Sequence, residues 1–352
     1  MLVLRRFLLL AVLCCAALPA SAAAATVPGP RLAYVEWRPA PPMARLVTVA
    51  ADGSDRRSLV PTGVQPLPEG DPAWSVDGST LFFAGYRASA TGEARENART
   101  WIYAVGAEGG PARRLPGTAG ARGPVLSPDG STIAFERVRI RNRYDPRRPL
   151  KSGVSIRSSA WSVPVEGALP RQLTPWRWGL TVRPATYSPD GSTLLLERDR
   201  GGAFNPEVIA REAGRRSLRV LVTGAEQPAY SPDGTRIALV SYRDRDLARG
   251  PTGLEPVGEL YVLDADGTRP RRLTRTPGQH ESQPAWSPDG SRLAFLRARG
   301  PAGLGLGSTL LQANGDGTCL RSVAGAGGRR GPVLHGPAWQ PGPVRAAGPL
   351  SC

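Results

Sequence analysis

The sequence predicts an all-β fold, a six-bladed β-propeller of four-stranded blades, and three observations lead to this prediction. A motif built around Ser-Pro-Asp-Gly recurs along the chain, and a second strand–turn–strand pattern follows each copy. The two ends of the chain carry complementary halves of one further unit. Units of four short strands joined by turns are typical of propeller blades.

The first repeat has five full copies and a truncated sixth. In each copy an aromatic or apolar residue ends a short strand, Pro-Asp-Gly reverses the chain, and an apolar run forms a second strand. Proline presets φ, aspartate hydrogen-bonds the backbone that follows, and glycine accepts a positive φ. The copies are DPAWSVDGSTLFFAG (71–85), GPVLSPDGSTIAFER (123–137), RPATYSPDGSTLLLER (183–198), QPAYSPDGTRIALVS (227–241), QPAWSPDGSRLAFLR (283–297) and the truncated GPAWQPG (336–342).

The second repeat is weaker and lies downstream of each first one. Each copy has the pattern of a strand, a glycine-containing turn and a strand, which predicts a hairpin. Together the two repeats supply four strands per blade. The copies are ARLVTVAADGSDRRSLV (44–60), TWIYAVGAEGGPARRLP (100–116), AWSVPVEGALPRQLT (160–174), ELYVLDADGTRPRRLT (259–274), TLLQANGDGTCLRSV (309–323) and a degraded PEVIAREAGRRSLRVLVTG (206–224).

The chain ends predict how the ring closes. RLAYVEW (31–37) matches the second strand of the first repeat but has no first strand before it, whereas GPAWQPG (336–342) is a first strand without its second. Joining strand 31–37 with strand 336–340 completes the sixth blade. Closure of this kind removes a sheet edge that would otherwise pair with other chains.

Residues 1–25 have the pattern of a secretory signal peptide. Arg5 and Arg6 precede an apolar run from Phe7 to Leu18, and small residues follow at 20–22. The run is too short to span about 30 Å of hydrocarbon. We therefore expect cleavage, export to the periplasm or beyond, no membrane span afterwards, and one propeller domain over residues 26–352.

Charge and cysteine content give two further expectations. The formal net charge is +16, and Lys151 is the only lysine. This arginine surplus indicates either a polyanion-binding surface or a GC-rich codon bias, while export argues against a nucleic-acid partner. Cys319 and Cys352 remain after removal of the signal peptide, and in an oxidising compartment they are candidates for a disulfide.

The repeat unit resembles the WD40-like repeat of TolB-type β-propellers. The Ser-Pro-Asp-Gly motif, followed by a hairpin that ends in Arg-x-Leu-Thr, covers essentially the whole of residues 26–352. The resemblance implies an extracytoplasmic six-bladed propeller whose relatives act as protein-interaction scaffolds. TolB-type proteins carry an α/β domain before the propeller, whereas only residues 26–30 separate the expected signal peptide from the first strand here. The resemblance therefore concerns the propeller part alone.

Few residues suggest catalysis or a cofactor. The chain has two histidines, His280 and His335, and no Gly-x-Ser-x-Gly elbow of the hydrolases that use similar propellers as gates. The turn aspartates have the spacing of turn formers, and the sequence lacks the Asp-x-Asp-x-Asp-Gly loops that bind calcium. We expect no catalytic residue, no metal and no cofactor, with a metal-dependent propeller lyase or lactonase as the enzymatic alternative.

Blade topology predicts where a binding site lies. The loops between second and third strands share one face of the ring with the connections between blades, and we call this the long-loop face. It collects the segments 85–100, 137–158, 198–206, 241–258 and 297–307, and variable loops on a rigid scaffold often carry recognition. Polar residues ahead of the first strands reach the mouth of the central channel on this face. They form either a funnel for a peptide end or small polar ligand, or a solvated rim: Glu69, Asp71, Glu226, Gln227, His280, Glu281 and Gln283.

The segment RVRIRNRYDPRRPLK (137–151) is the most distinctive part of the long-loop face. It is either a loop that grips an anionic polymer or acidic partner, or a hairpin whose arginines face water; guanidinium forks suit carboxylates and phosphates. The candidate residues are Arg139, Arg141, Arg143, Arg147 and Arg148.

These patterns favour a monomeric, non-enzymatic, exported scaffold that binds a protein or peptide partner on the long-loop face. The alternative is a binder of anionic carbohydrate, or another envelope polyanion, through segment 137–151.

Overall fold

The computed structural model describes residues 29–39, 42–59, 61, 63–87, 100–143, 153–200, 205–250, 253–300, 307–325, 331–341 and 346–352. None of these residues forms a helix, and so none forms one long and apolar enough to cross a membrane. The expected signal peptide at 1–25 lies outside the described residues.

The described chain consists of short strands joined by turns. The first fourteen are β1 (Arg31–Pro39), β2 (Pro42–Ala50), β3 (Arg57–Leu59), β4 (Val64–Pro66), β5 (Ala73–Trp74), β6 (Thr80–Arg87), β7 (Trp101–Gly106), β8 (Gly109–Arg114), β9 (Ala121–Leu126), β10 (Thr132–Arg143), β11 (Gly153–Pro164), β12 (Arg171–Gln172), β13 (Thr181–Tyr187) and β14 (Thr193–Asp199). The others are β15 (Glu207–Glu212), β16 (Arg219–Thr223), β17 (Ala225–Tyr230), β18 (Arg236–Ser241), β19 (Leu247–Gly250), β20 (Gly253–Pro256), β21 (Glu259–Asp264), β22 (Arg271–Arg272), β23 (Gln279–Trp286), β24 (Arg292–Arg299), β25 (Ser308–Asn314), β26 (Arg321–Ala324) and β27 (Val333–Trp339).

The strands form six antiparallel blades arranged in a ring, which confirms the predicted six-bladed propeller. Blades 3, 4 and 6 follow chain order as β9–β12, β13–β16 and β23–β26. Blade 5 contains β17, β18, β21 and β22, and the hairpin β19–β20 forms a separate two-stranded sheet between its second and third strands. Blade 2 contains β6, β7 and β8, and its innermost strand is divided into β4 and β5, which both pair with β6.

Blade 1 closes the ring with strands from both chain ends, in the order β27–β1–β2–β3. Leu32 lies opposite Trp339, and Trp37 lies opposite Val333. The predicted union of strand 31–37 with strand 336–340 is therefore confirmed, and the C-terminal strand begins somewhat earlier, at Val333.

The Ser-Pro-Asp-Gly turns have the chemistry that the motif predicts. In blade 3 the Ser127 hydroxyl donates to Asp129 Oδ1 at 2.5 Å, and the Ser131 N–H donates to the same oxygen at 3.0 Å. Gly130 follows with a φ of 71°. These hydrogen bonds lower the pKa of Asp129 to about 2. The turn carboxylates are thus engaged in shaping the turn.

Tryptophans of the first repeat join neighbouring blades around the closure. The indole N–H of Trp74 in blade 2 donates to Ala338 O of blade 1 at 3.1 Å. Trp339 of blade 1 donates in the same way to Ala285 O of blade 6, at 3.1 Å. Each indole is buried, and these bonds link the closing blade to both of its neighbours.

The C-terminal tail is fastened to blade 6. Cys319 and Cys352 form a disulfide with their Cα atoms 5.0 Å apart. The Leu350 N–H donates to Asn314 Oδ1 at 2.6 Å, and the Asn314 amide donates to Leu350 O at 3.2 Å. The tail therefore holds blade 6 next to the closing blade.

Candidate functional site

A cavity of about 490 Å³ occupies the centre of the ring. The inner strands of all six blades line it, and each contributes the segment that precedes its Ser-Pro-Asp-Gly turn or the matching truncated segment. The inner strands begin at the end of the ring that the inter-blade connections share. Most lining residues run from the residue before each proline to the residue that ends the inner strand, and we call the ring of residues before the prolines the channel mouth.

One position per blade sets the chemistry of the channel mouth. Every inner strand has a proline, and the residue before that proline lines the cavity. Because the scaffold repeats, this position differs among blades almost only in its side chain. From blade 1 to blade 6 the residues are Gly336, Asp71, Gly123, Arg183, Gln227 and Gln283.

Four of these six positions take a left-handed backbone conformation. The φ angles are 53° at Gly123, 62° at Gly336, and 54° at both Gln227 and Gln283. The strand pairing shifts by a β-bulge next to these residues, and such bulges re-aim side chains. Glycine adopts this conformation without steric cost, whereas glutamine is strained there by about 1 to 3 kcal/mol. Blades 5 and 6 therefore hold long polar side chains in the channel at a cost in backbone energy.

The two glutamines belong to a hydrogen-bonded chain across four blades. Gln227 Oε1 accepts the N–H of Gln283 at 2.6 Å. Gln283 Oε1 accepts the N–H of Gly336 at 2.8 Å, and Gln283 Nε2 donates to Asp71 Oδ1 at 2.9 Å. A Cβ at Gly336 would lie 2.5 Å from the Cα of Asp71, so blade 1 needs glycine here. This chain fixes the positions of the polar groups at four of the six blades around the channel mouth.

A charged pair faces the channel from blade 4. Arg183 Nε and Nη2 both contact Glu197 Oε2, at 2.7 and 2.6 Å. The Glu197 side chain is nearly covered, whereas 42% of the Arg183 side chain is accessible, through the cavity that it lines. The guanidinium thus keeps donors directed into the channel while Glu197 holds it in place.

The electrostatics of the mouth are dominated by carboxylates in a protein-enclosed space. Burial raises the pKa of Asp71, although Arg183 and His335 oppose the rise. Burial likewise raises the pKa of Glu197, and the charges of Glu226 and Asp71 add to that rise against the effect of Arg183. The same carboxylates raise the pKa of Arg183, which remains cationic. The mouth therefore presents the Arg183 guanidinium, which Glu197 holds in place, among several carboxylates.

The structure separates the predicted channel residues into two groups. Glu69, Asp71, Gln227 and Gln283 line the cavity, and Glu69 is exposed at the rim. The others are not among the lining residues: Glu226, which is half-buried, and His280 and Glu281, which are buried.

Glu226 and His280 support the wall through Tyr242. The Tyr242 hydroxyl donates to Glu226 Oε1 at 2.7 Å, and the Tyr242 ring stacks on the His280 ring at 6.2 Å. The Nδ1 atom of His280 accepts the N–H of Gly258 at 2.9 Å. Only 3% of His280 is exposed, and this burial lowers its pKa.

Glu281 is a buried link next to these residues. Its Oε1 atom accepts hydrogen bonds from Thr276 Oγ1 at 2.6 Å and from Arg297 Nε at 2.7 Å. Its Oε2 atom has no hydrogen-bond partner among the described residues. Burial raises the pKa of Glu281. Because Glu281 is buried, its hydrogen bonds stabilise the fold and the carboxylate is not exposed to contact a partner directly.

Arg183 is a channel residue that was not predicted from the sequence. It stands in the third copy of the first repeat, immediately before its proline, where other copies have Asp71, Gln227 and Gln283. Comparing that single column of the repeat would have identified it. Other lining residues that the repeats do not single out are Arg122, Glu136 and Glu197.

The arginine segment forms a hairpin in its described part. Residues 132–143 of β10 pair continuously with residues 153–164 of β11. Arg139 lies on this hairpin with its guanidinium 4.5 Å from the centre of the Trp176 ring. The side chains of Arg141 and Arg143, and all of Arg147 and Arg148, lie outside the described residues.

No group of three or more His, Cys, Asp or Glu side chains within the described parts of the chain is arranged to hold a metal ion.

Sequence comparison finds relatives of two kinds. The chain is 34% identical over 139 residues to a TolB homolog from Chlorobium chlorochromatii (strain CaD3). This match covers 40% of this chain and 28% of that protein. It is 36% identical over 201 residues to the uncharacterized peptidase YuxL from Bacillus subtilis (strain 168). This second match covers 49% of this chain and 28% of that protein. The chain thus matches less than a third of the length of either relative. No model of a known protein family matches it.

Structure comparison relates the whole ring to a solved propeller. A structure described as TolB from Agrobacterium tumefaciens superposes with a TM-score of 0.56, over 86% of this chain and 92% of the other, at 19% identity. Together with the repeats and the closure, this similarity defines the class: the chain is a TolB-like six-bladed β-propeller.

Proposed function

We propose that this chain is an exported, monomeric, non-enzymatic scaffold that binds a protein or peptide partner on its long-loop face, with the channel mouth as the contact site. The observation that carries the proposal is the pair of left-handed glutamines. Gln227 and Gln283 occupy a conformation that glycine takes at two equivalent positions, and both side chains line the cavity. Strained residues of this kind are concentrated at binding sites.

The chemistry of the mouth suits a polar segment of a partner. The Arg183 guanidinium offers donors to a carboxylate or a backbone carbonyl, and Asp71 and Glu69 offer acceptors to an amine or a backbone N–H. The relatives include a TolB homolog and a peptidase, and each match covers 28% of the relative. Binding through the propeller alone is the activity that these partial matches and the channel geometry support together.

The test is photo-crosslinking from the rim in cells. A photoreactive amino acid at Glu69, which is exposed beside the cavity, is expected to capture a discrete protein. The double change Gln227→Gly and Gln283→Gly removes both side chains while keeping residues that accept a φ of 54°. We expect at least about a tenfold loss of the crosslinked product, since hydrogen bonds lost from a desolvated site cost about 1 kcal/mol or more each.

The matched control is Arg269→Gly. Arg269 has a φ of 51° and is 83% exposed in the β21–β22 turn at the outer edge of blade 5, and it is not among the residues that line the cavity. It undergoes the same kind of substitution at the same backbone conformation, so it should leave crosslinking unchanged. Absence of a protein product, or a product that persists in the double-glycine variant, would refute the proposed function.

A further inference from the structure

A second surface of the long-loop face lies on blade 3, away from the channel. It is formed by the hairpin β10–β11 and by the segment 173–180 that leads from blade 3 to blade 4. Its members are arginines and tryptophans, and we call it the Arg–Trp surface: Arg137, Arg139, Arg157, Trp161, Trp176 and Trp178.

Alternation along the hairpin puts these arginines on one side of the sheet. Arg139 is directly opposite Arg157, and Arg137 is directly opposite Ser159. Residues two apart on a strand share a face, so all three arginines project to the same side. Like charges directly opposite each other destabilise a sheet. The hairpin therefore carries an electrostatic cost that its own strands do not offset.

Cation–π contacts with the neighbouring indoles offset part of this electrostatic repulsion. The Arg137 guanidinium lies 4.4 Å from the centre of the Trp161 ring, and the Arg157 guanidinium lies 4.0 Å from that of Trp178. Trp176 is shared, since Arg139 and Arg157 approach the centre of its ring to 4.5 and 5.3 Å. Cation–π contacts of this kind hold the guanidiniums close together with little freedom.

No carboxylate neutralises the cluster. Among the described residues, Arg137, Arg139 and Arg157 form no ion pair within 4 Å. Several arginines elsewhere in the ring do pair with carboxylates at that distance. Glu136, the neighbouring acid on β10, lines the channel instead. The Nε atoms of Arg137 and Arg157 and the Nε1 atom of Trp161 are buried donors without a hydrogen-bond partner in the described structure. Arg137 Nη2 donates to Gly117 O at 2.8 Å, but the described surface still has more donors and positive charge than acceptors.

We propose that the Arg–Trp surface binds a carboxylate-bearing polysaccharide of the polyuronate type. Arg139 and Arg157 converge on one indole from two strands, so their guanidinium forks can hold a planar carboxylate between them. Trp178 is 43% exposed beside Arg157, and the face of an indole packs against the C–H groups of a pyranose ring. One sugar unit can thereby contact both the guanidiniums and Trp178.

Two other polyanions fit less well. Single-stranded nucleic acid binds through successive aromatic platforms, whereas each indole here already has a guanidinium over it and only Trp178 is an exposed ring. An acidic protein surface would pair with the arginines but offers no ring face for Trp178.

The experiment measures binding of the purified protein to alginate, a polyuronate, by isothermal titration and by affinity electrophoresis. Dextran serves as the neutral polysaccharide. We expect binding to alginate and not to dextran, and weaker binding as salt is raised. Changing Arg139→Gln together with Arg157→Gln should weaken alginate binding at least about tenfold, because two charge-assisted contacts are lost. Trp178→Ala should weaken it about fivefold, with partial recovery in Trp178→Phe.

The matched control removes two arginines from another hairpin. Arg216 and Arg219 are exposed on the β15–β16 hairpin of blade 4, so Arg216→Gln with Arg219→Gln makes the same change in net charge. This variant should bind alginate as the unchanged protein does. If the Arg139/Arg157 variant fails to fold in thermal unfolding, Arg157→Lys and Trp178→Ala are measured singly. Arg157→Lys keeps the charge but loses the fork, and it should also weaken binding.

Three outcomes would overturn the proposal. The first is that alginate does not bind, and the second is that it binds but the surface variants leave binding intact. The third is that a thymidine oligonucleotide or poly-glutamate binds more tightly than alginate and loses affinity in the same variants, which would assign the surface to another class of partner. The channel variants of Gln227 and Gln283 should not alter alginate binding, so this test and that of the proposed function fail independently.

Discussion

Single side chains decide the chemistry of the channel because the backbone beneath them is nearly the same in every blade. Gln227 and Gln283 illustrate this, since glycine fills the equivalent left-handed positions in blades 1 and 3. Glycine removes strain and leaves the channel open, while glutamine adds a donor and an acceptor at the cost of strain. The blades thus differ mainly in the side chain that each directs into the channel.

His280 gives a prediction about pH. Burial lowers its pKa below the ordinary value of about 6.5, although the charges of Glu226 and Glu259 oppose the shift. The unfolded chain therefore binds a proton below pH 6.5 that the folded protein resists, so His280 lowers the free energy of unfolding as pH falls from about 7.5 towards 5. His280→Asn keeps an acceptor for the Gly258 N–H and should reduce this slope by up to about 1.4 kcal/mol per pH unit.

The measurement is urea unfolding of the protein and the variant between pH 7.5 and 5. Burial also lowers the pKa of His335, but His335 is present in both proteins, and the difference between the curves reports His280 alone. Parallel curves would show that folding does not lower the pKa of His280.

The repeated turns are the elements whose structure follows most directly from the sequence. The Ser-Pro-Asp-Gly motif predicted each reversal, and the alternating apolar runs predicted the strands, because turn chemistry and strand periodicity are both local properties. The hairpin β19–β20 was not predicted as strands, since its short segments Leu247–Gly250 and Gly253–Pro256 have little apolar alternation. For segment 137–151 the sequence left a loop and a hairpin open, and cross-strand pairing selects the hairpin for its described part.

Two glycines with the same backbone conformation allow a prediction about packing of these turns. Gly78 has a φ of 69°, and a Cβ there would lie 2.4 Å from Pro341 O of the closing blade. Gly214 has a φ of 73° and nothing within 4 Å of such an atom. Gly214→Ala should cost about 1 to 2 kcal/mol, from backbone conformation alone. Gly78→Ala should cost about 1 to 3 kcal/mol more, because the blade 1–2 contact must move.

Thermal and urea unfolding of the two variants check this prediction. Equal losses of stability would mean that the turn of blade 2 does not pack against the segment after β27 as described.

For the molecule as a whole, closure of the ring is the feature on which the fold depends. Blade 1 is assembled from strands at opposite ends of the chain, and the tryptophan bonds and the C-terminal tail surround it. An open ring would expose unpaired strand edges of blade 1. Interactions at the closure therefore contribute to stability beyond their local contacts.

The disulfide gives a prediction at this level. Cys319 and Cys352 are separated by 33 residues in sequence, and the bridge spans β27. On the loop-entropy estimate it stabilises the fold by about 3 to 4 kcal/mol. Cys352→Ser should lower the free energy of unfolding by up to that amount, measured by urea unfolding without reductant. Reductant should bring the unchanged protein to the level of the variant and leave the variant as it is; equal stabilities without reductant would show that the bridge does not contribute.

The sequence alone determined the architecture: strands, turns, blade number and the place of closure follow from repeated local patterns. Only the tertiary structure decided which polar residues meet. Asp71, Arg183 and Gln283 lie far apart in the chain and come together because six inner strands converge on one axis. Glu226, His280 and Glu281 have the same sequence context as the channel residues, yet the bulges and strand alternation turn them into the wall. Convergence of this kind depends on the curvature of the closed ring, which no single repeat encodes.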